Sequence, residues 1–143
     1  MRRLCLLFLL IGTYCYAGER KYTVDSPDGK IQLAIIQTDA GELTYQLSVK
    51  RNQVIDASAL GFKTEDGLTF PFRGCKMGKV TRNKVNSVWK PLWGKRAVVP
   101  DKYNEMKLSF VNEAKSSDAL EVVARAYNEG VAFRYVSPQD AGS

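Results

Sequence analysis

The sequence contains no histidine. That absence removes the Ser-His-Asp and Cys-His nucleophile machinery and the histidine-based zinc sites, and it leaves carboxylate chemistry as what survives. Cysteine is almost as scarce, with only Cys5, Cys15 and Cys75. The first two fall in an amino-terminal leader, so Cys75 is left alone and no intramolecular disulfide can form. With nothing to activate its thiol, Cys75 reads as a small buried or half-buried side chain. No segment carries a sustained apolar stripe at helical spacing, and the apolar run at residues 4–11 is too short to cross a bilayer as a helix. The net charge of +6 comes from basic residues scattered without one dense run. Such a pattern is a solvated surface and argues against a nucleic-acid partner.

What is present begins with that leader. Arg2 and Arg3 form a basic start, residues 4–11 an apolar centre, and Cys15-Tyr16-Ala17 a small-x-small site before Gly18. This is the pattern of a secretory signal peptide over residues 1–17, cut after Ala17. A lipoprotein anchor at Cys15 is the alternative, disfavoured by the bulky Tyr14 before it. The chain is therefore expected to be exported, periplasmic or extracellular, with no membrane attachment after cleavage. Residues 18–143 are the size of one ordinary domain, enough to bury a core.

Through that domain, short alternating runs recur about every ten residues with turn signals between them. Residues 21–24 start a strand, and Ser26-Pro27-Asp28-Gly29 is a turn in which proline sets φ and glycine accepts the left-handed region. Ile31, Leu33 and Ile35 alternate with Gln32 and Ala34, and Leu43, Tyr45, Leu47 and Val49 alternate with polar partners. These two runs are expected to pair as an antiparallel hairpin. Arg51-Asn52-Gln53 reads as a turn, residues 56–62 as irregular, residues 68–72 as a short strand or loop limited by Pro71, and residues 76–88 as a strand. The segment Trp89-Lys90-Pro91-Leu92-Trp93-Gly94 cannot be a regular central strand, because Pro91 removes a ladder donor. It is expected to be a loop carrying two large aromatics, which either fill a core or line a surface that binds something flat, burial being the commoner fate. Loop is expected to continue to residue 103, with a turn at Pro100-Asp101, before Met106, Leu108 and Phe110 form another strand.

The last elements form a hairpin. Leu120, Val122, Ala124 and Ala126 alternate with Glu121, Arg125 and Tyr127, and Asn128-Glu129-Gly130 turns the chain, with Gly130 expected at positive φ. Val131, Phe133 and Tyr135 form the returning inner face, and Ala132 and Arg134 point the other way. A strand edge left here would be exposed, which suggests an incomplete chain. The fold class is expected to be all-β, an antiparallel β-sandwich or a barrel.

Ser26-Pro27-Asp28-Gly29-Lys30, Tyr45, Ser58-x-Leu60-Gly61, Trp89-Lys-Pro-Leu-Trp-Gly94, Tyr103-Asn104-Glu105 and Arg125-Ala-Tyr-x-x-Gly-Val-Ala-Phe-Arg-Tyr135 occur in an order that resembles glycoside hydrolase family 97. The resemblance implies a parent of three parts: an amino-terminal β-supersandwich, a central (β/α)8 catalytic barrel and a small carboxy-terminal β-domain. It also implies α-glucosidase or α-galactosidase activity in an exported protein. The match covers roughly the first half of the sandwich and none of the barrel, so no residue here inherits a catalytic role. Calcium is implied for the parent, but none of its ligands matches a position in this chain. Trp89, Trp93, Arg125, Tyr127 and Arg134 are the residues expected to meet the barrel or touch sugar. The partners implied are a downstream barrel and, through the parent enzyme, a carbohydrate.

Glycoside hydrolysis needs two carboxyl groups about 5 to 9.5 Å apart across one bond. The sequence has many acids, among them Asp101, Glu105, Glu113, Glu121 and Glu129, but no spacing is expected to place two in a single cleft. Glu105 and Glu129 read as exposed or capping, and Arg125 and Arg134 as cross-strand partners of Glu121 or Glu129. The chain alone is thus expected to be inactive. The alternative is a stand-alone exported carbohydrate-binding or protein-interaction sandwich without chemistry.

Overall fold

A computed structural model of the chain describes residues 18–90, 92–93, 98–112, 114 and 119–137. The leader, the tail at residues 138–143, Gly94 and most of the polar connection after Asn112 lie outside the described residues. Ten strands are found among them and no helix. They are β1 (Arg20–Asp25), β2 (Ile31–Gln37), β3 (Leu43–Val49), β4 (Asn52–Ala59), β5 (Phe62–Lys63), β6 (Thr69–Phe70), β7 (Cys75–Trp89), β8 (Val99–Asn112), β9 (Ala119–Tyr127) and β10 (Val131–Val136). One antiparallel sheet runs β1-β2-β3-β4 and the other β10-β9-β8-β7, with β5 and β6 a separate small hairpin.

The two sheets pack face to face because each has one apolar side. Val24, Leu33, Ile35 and Leu43 face Met106, Leu108, Phe110, Val122, Ala124 and Ala126, and the β5–β6 hairpin adds Phe70. Leu33, Met106, Leu108, Val122, Ala124 and Ala126 are wholly buried. Ala34 and Ile36 on the other side of β2 are buried as well, so this strand is covered on both faces rather than half-buried. Across the sandwich β1 lies over β8 and β9, and β2 over β9. Tyr45 of β3 meets Phe133 of β10, ring centroids 5.5 Å apart.

Turn chemistry fixes the register at the edges. Between β1 and β2, the Ser26 hydroxyl donates to the Asp28 carboxylate at 2.6 Å and accepts from the Ile31 amide, while Gly29 takes a φ of 72°. The Ser26 bond, then the Lys30 amide, holds the Asp28 carboxyl below its usual value. The Asp28 amide in turn donates to Asn128 Oδ1 at 3.0 Å, joining the turns of the two sheets.

Four expectations need correction. The turn after β3 is made by Lys50 and Arg51, both at positive φ, and Asn52 and Gln53 already belong to β4. The polar, glycine-free dipeptide hid a primed two-residue turn, and β4 continues through residues 56–59, which read as irregular. Gly130 is not at positive φ, and its hairpin closes by a bond from the Tyr127 amide to the Gly130 carbonyl. Finally, residues 99–103 are strand: β8 starts at Val99, and Pro100 sits opposite Val88 where no further strand needs its missing donor.

Cys75 opens β7 and is buried. Loss of solvent pushes its thiol from 9.0 up to about 11, against a smaller opposite effect of the Phe72 backbone. The expected inert thiol is what the fold provides.

Candidate functional site

Strand alternation and register together decide which side chains share a surface. On the outer face of the second sheet, Tyr103 pairs with Tyr127, Glu105 with Arg125 and Lys107 with Val123. Arg134 stands opposite Val123 and Ala132 opposite Arg125 on β10. Following β7 along the same face, Val85 lies opposite Tyr103 and Trp89 opposite Val99. The register thus brings Trp89, Arg125, Tyr127 and Arg134 onto one side of one sheet. Trp93 lies beyond the end of β7 and does not join them on a strand.

At the centre of that face sits Glu105. It is only 7 % exposed, which overturns the expectation of an exposed or capping side chain. Arg125 Nε donates to Glu105 Oε2 at 2.8 Å, and Lys107 Nζ lies 3.8 Å from Glu105 Oε1. The Arg125 guanidinium rests 4.5 Å from the centroid of the Tyr103 ring, and Tyr103 and Tyr127 pack at 5.1 Å. The hydrogen bond to Glu105 raises the Arg125 pKa beyond its already high value, so this group is a permanent cation. Arg125 thus pairs with Glu105 on β8, and neither Glu121 nor Glu129 plays the part expected of it. Tyr103 and Glu105 stand in a family motif, with Glu105 read as exposed or capping, but neither reads as a partner of Arg125 when regular alternation starts only at Met106. The alternation of Tyr103, Glu105 and Lys107 against Met106, Leu108 and Phe110 carried the signal.

The aromatic segment also departs from expectation. Trp89 is 55 % exposed and Trp93 90 % exposed, so neither fills the core. Val88, Leu92 and Val98 are exposed with them. The reason is topological. β9 ends at Tyr127, opposite Tyr103, so beyond that point β7 and β8 continue as a two-stranded arm with no third strand and no facing sheet among the described residues.

The face is not a pocket. Between Arg125, Tyr127, Ala132 and Arg134 lies a depression of about 150 Å³, below the roughly 300 to 1,000 Å³ of a small-molecule site. A larger depression of about 400 Å³ is lined by Asp25, Arg82, Lys84, Asn104 and Glu105. Two carboxylates therefore do border one hollow, contrary to the expectation from spacing. Both are engaged: Glu105 as described, and Asp25 as acceptor for Gln32 Nε2 at 2.8 Å. Among the described residues no three carboxylates or cysteines gather as metal ligands, so these side chains do not fit the calcium implied for the parent. No helix among them is long and apolar enough to cross a membrane.

Comparison with known proteins agrees with this architecture. The family model described as Glycosyl-hydrolase 97 N-terminal matches residues 24–143. A retaining alpha-galactosidase of Bacteroides thetaiotaomicron is 25 % identical over 135 residues, 92 % of this chain and 19 % of its own length. A probable retaining alpha-galactosidase of Streptomyces bingchenggensis is 28 % identical over 94 % of this chain and 21 % of its own. Among solved structures, a Glycoside Hydrolase Family 97 enzyme of Pseudoalteromonas sp. in complex with panose superposes with a TM-score of 0.72 and 35 % identity, covering 85 % of this chain and 18 % of that one. A beta-arabinopyranosidase gives 0.69 and 27 % identity, over 82 % of this chain and 18 % of that one. The chain thus spans about one-fifth of the length of the relatives it matches. With the sandwich, the strand order and the match over residues 24–143 in agreement, the chain belongs to the amino-terminal domain family of glycosyl hydrolase 97.

Proposed function

We propose that this chain is the non-catalytic amino-terminal portion of an exported α-glucosidase or α-galactosidase, and that it braces a (β/α)8 barrel and helps shape one wall of its carbohydrate site. The observation that carries this reading is the arm formed by the ends of β7 and β8. Val88 and Trp89 at the end of β7, Leu92 and Trp93 just beyond it and Val98 just before β8 are all exposed, where no third strand among the described residues flanks the ribbon. Exposed apolar clusters of this kind mark surfaces that meet another body. Trp89, Tyr127, Arg125 and Arg134 extend that surface along the outer face of the second sheet, with Arg125 held rigid by Glu105 and Tyr103. Rigid aromatic and arginine side chains are the usual anchors of an interface. Both carboxylates of the hollow lined by Asp25 and Glu105 are tied up, which supports placing the acid and base of glycoside cleavage on the barrel.

The test joins two assays. The chain alone should leave p-nitrophenyl α-glucoside and α-galactoside intact, and a barrel supplied in trans should bind it with the tryptophans at the contact. Turnover by the chain alone would overturn the assignment. The exposure of Trp93 also favours a second reading, a stand-alone exported carbohydrate-binding or protein-interaction sandwich, because an indole in solvent offers a flat face to a sugar ring. Saturable binding of an α-linked oligosaccharide to the isolated chain, lost in Trp93→Ala, would favour that reading over the first.

A further inference from the structure

Two turns of this chain carry the same Asp-Gly dipeptide in nearly the same backbone. In Ser26-Pro27-Asp28-Gly29, between β1 and β2, the Gly29 amide donates to the Ser26 carbonyl at 2.8 Å and Gly29 has a φ of 72°. In Thr64-Glu65-Asp66-Gly67, between β5 and β6, the Gly67 amide donates to the Thr64 carbonyl at 3.1 Å and Gly67 has a φ of 88°. Each is a four-residue turn that ends on a left-handed glycine. Around both glycines the space that a Cβ would fill is open, so neither nitrogen is screened by a neighbour there.

What differs is the carboxyl group. Ser26 Oγ donates to Asp28 Oδ1 at 2.6 Å, the Lys30 amide donates to the same oxygen at 3.0 Å, and Lys30 Nζ lies 3.8 Å from Asp28 Oδ2. These bonds favour the ionised carboxylate and tie the side chain down. In the second turn the hydroxyl at the matching place faces elsewhere. Thr64 Oγ1 accepts from the Leu68 amide at 3.0 Å and donates to the Leu68 carbonyl at 3.4 Å. Among the described residues no hydrogen bond or ion pair engages the Asp66 carboxylate, and residues 65–68 are all exposed.

We propose that Asp66-Gly67 is a site of spontaneous covalent modification, where the chain rearranges to isoaspartate in water, and that the tether on Asp28 shields Asp28-Gly29 from the same reaction. The Gly67 nitrogen attacks Cγ of the protonated Asp66 carboxyl. An N–Cγ bond forms, the amide proton and the carboxyl hydroxyl leave as one water molecule, and a five-membered succinimide results. Water then adds back at either carbonyl. Breaking the new N–Cγ bond restores aspartate. Breaking the original bond between the Asp66 carbonyl carbon and the Gly67 nitrogen leaves the main chain running through Cβ and Cγ, with a free α-carboxylate. Nothing is oxidised or reduced, and the backbone of the turn becomes one carbon longer. This turn holds Phe62 opposite Phe70, whose rings lie 4.8 Å and 5.5 Å from that of Tyr135. Lengthening it loosens the hairpin that closes this end of the core.

The test uses the full chain held in warm neutral buffer. The tryptic peptides 22–30 and 64–73 each carry one of the two dipeptides, and isoaspartate is located in them by fragmentation after labelling with an isoaspartyl methyltransferase. In the folded chain it should accumulate at Asp66 at least about tenfold faster than at Asp28, the factor that one hydrogen bond to a charged group corresponds to. In urea the two rates should converge, because the local chemistry is the same once the turns are gone. Ser26→Ala removes the tether and should bring Asp28 toward the Asp66 rate while leaving Asp66 unchanged. If that variant fails to fold, the comparison of folded and urea-treated wild type decides. Chains enriched in isoaspartate at Asp66 should also unfold at lower denaturant than fresh ones. Equal rates at the two sites in the folded chain, no isoaspartate at Asp66, or a difference that persists in urea would overturn the proposal. Nothing in this chemistry depends on a barrel or a sugar, so it fails or holds separately from the proposed function.

Discussion

β7 and β8 form one ribbon with two unlike ends. From Cys75 to about Val80, β7 is paired with Leu108 to Asn112 and lies against the core, whereas from Val85 to Trp89 the same two strands run on into solvent. Both ends are rich in apolar side chains. What separates them is neighbours: the first end has β9 beside it and the opposite sheet above, and the second has neither among the described residues. Burial is thus a property of the third strand and the facing layer rather than of residue type, and an apolar ribbon that outruns both is surface left for something else.

The comparison can be broken most sharply at Leu108, which is wholly buried. Leu108→Ala should cost about 3 kcal/mol in denaturant unfolding, the usual scale of a core cavity. A loss well under 1 kcal/mol would mean the two sheets are not packed as described. Next comes Glu105, which sits where the covered part of the ribbon gives way to the arm. Glu105→Ala should cost about 2 kcal/mol by leaving Arg125 without its partner, and Glu105→Leu with Arg125→Met should recover most of that loss. Equal effects of the single and double replacements would show that the ion pair does not hold the face together.

Smaller effects distinguish the ends themselves. Because burial raises the Cys75 thiol from 9.0 to about 11, the folded form resists ionisation that the unfolded chain permits. That contribution is complete below pH 9.0 and is lost as pH rises toward about 11. Denaturation series across that range should show stability falling in the wild type more than in Cys75→Ala. At the other end, amides in residues 85–89 should exchange by local opening, faster than those in residues 106–110, which need global unfolding. Smallest of all is Trp93→Ala, which should change the stability of the chain by less than about 0.5 kcal/mol, since the side chain is almost entirely in solvent.

The sequence was legible where alternation was strong and turns carried glycine or proline. The β1–β2 turn, the β2–β3 pair, the buried side of β8 and the β9–β10 hairpin all follow from it. It misled at Lys50-Arg51, where two long charged residues adopt a turn conformation that glycine and asparagine usually signal. Pro100 misled in another way, because a proline is harmless on a strand with no outer neighbour, and only the tertiary arrangement reveals that β8 has none there. The same gap in knowledge explains the tryptophans. Their exposure depends on where β9 stops, and nothing local to residues 89–93 records that. Arg125, Tyr127 and Arg134 could be placed on neighbouring strands, but the partner of Arg125 required the β8–β9 register, which brings Glu105 across from it.

The most direct measurement labels Trp89 and Trp93, the chain's two tryptophans, with fluorotryptophan and follows the solvent sensitivity of each fluorine resonance, first in the isolated chain and then with the catalytic barrel present. Both resonances should respond to solvent in the isolated chain and become shielded when the barrel is added. Two indoles that remain equally accessible in both states would contradict the account.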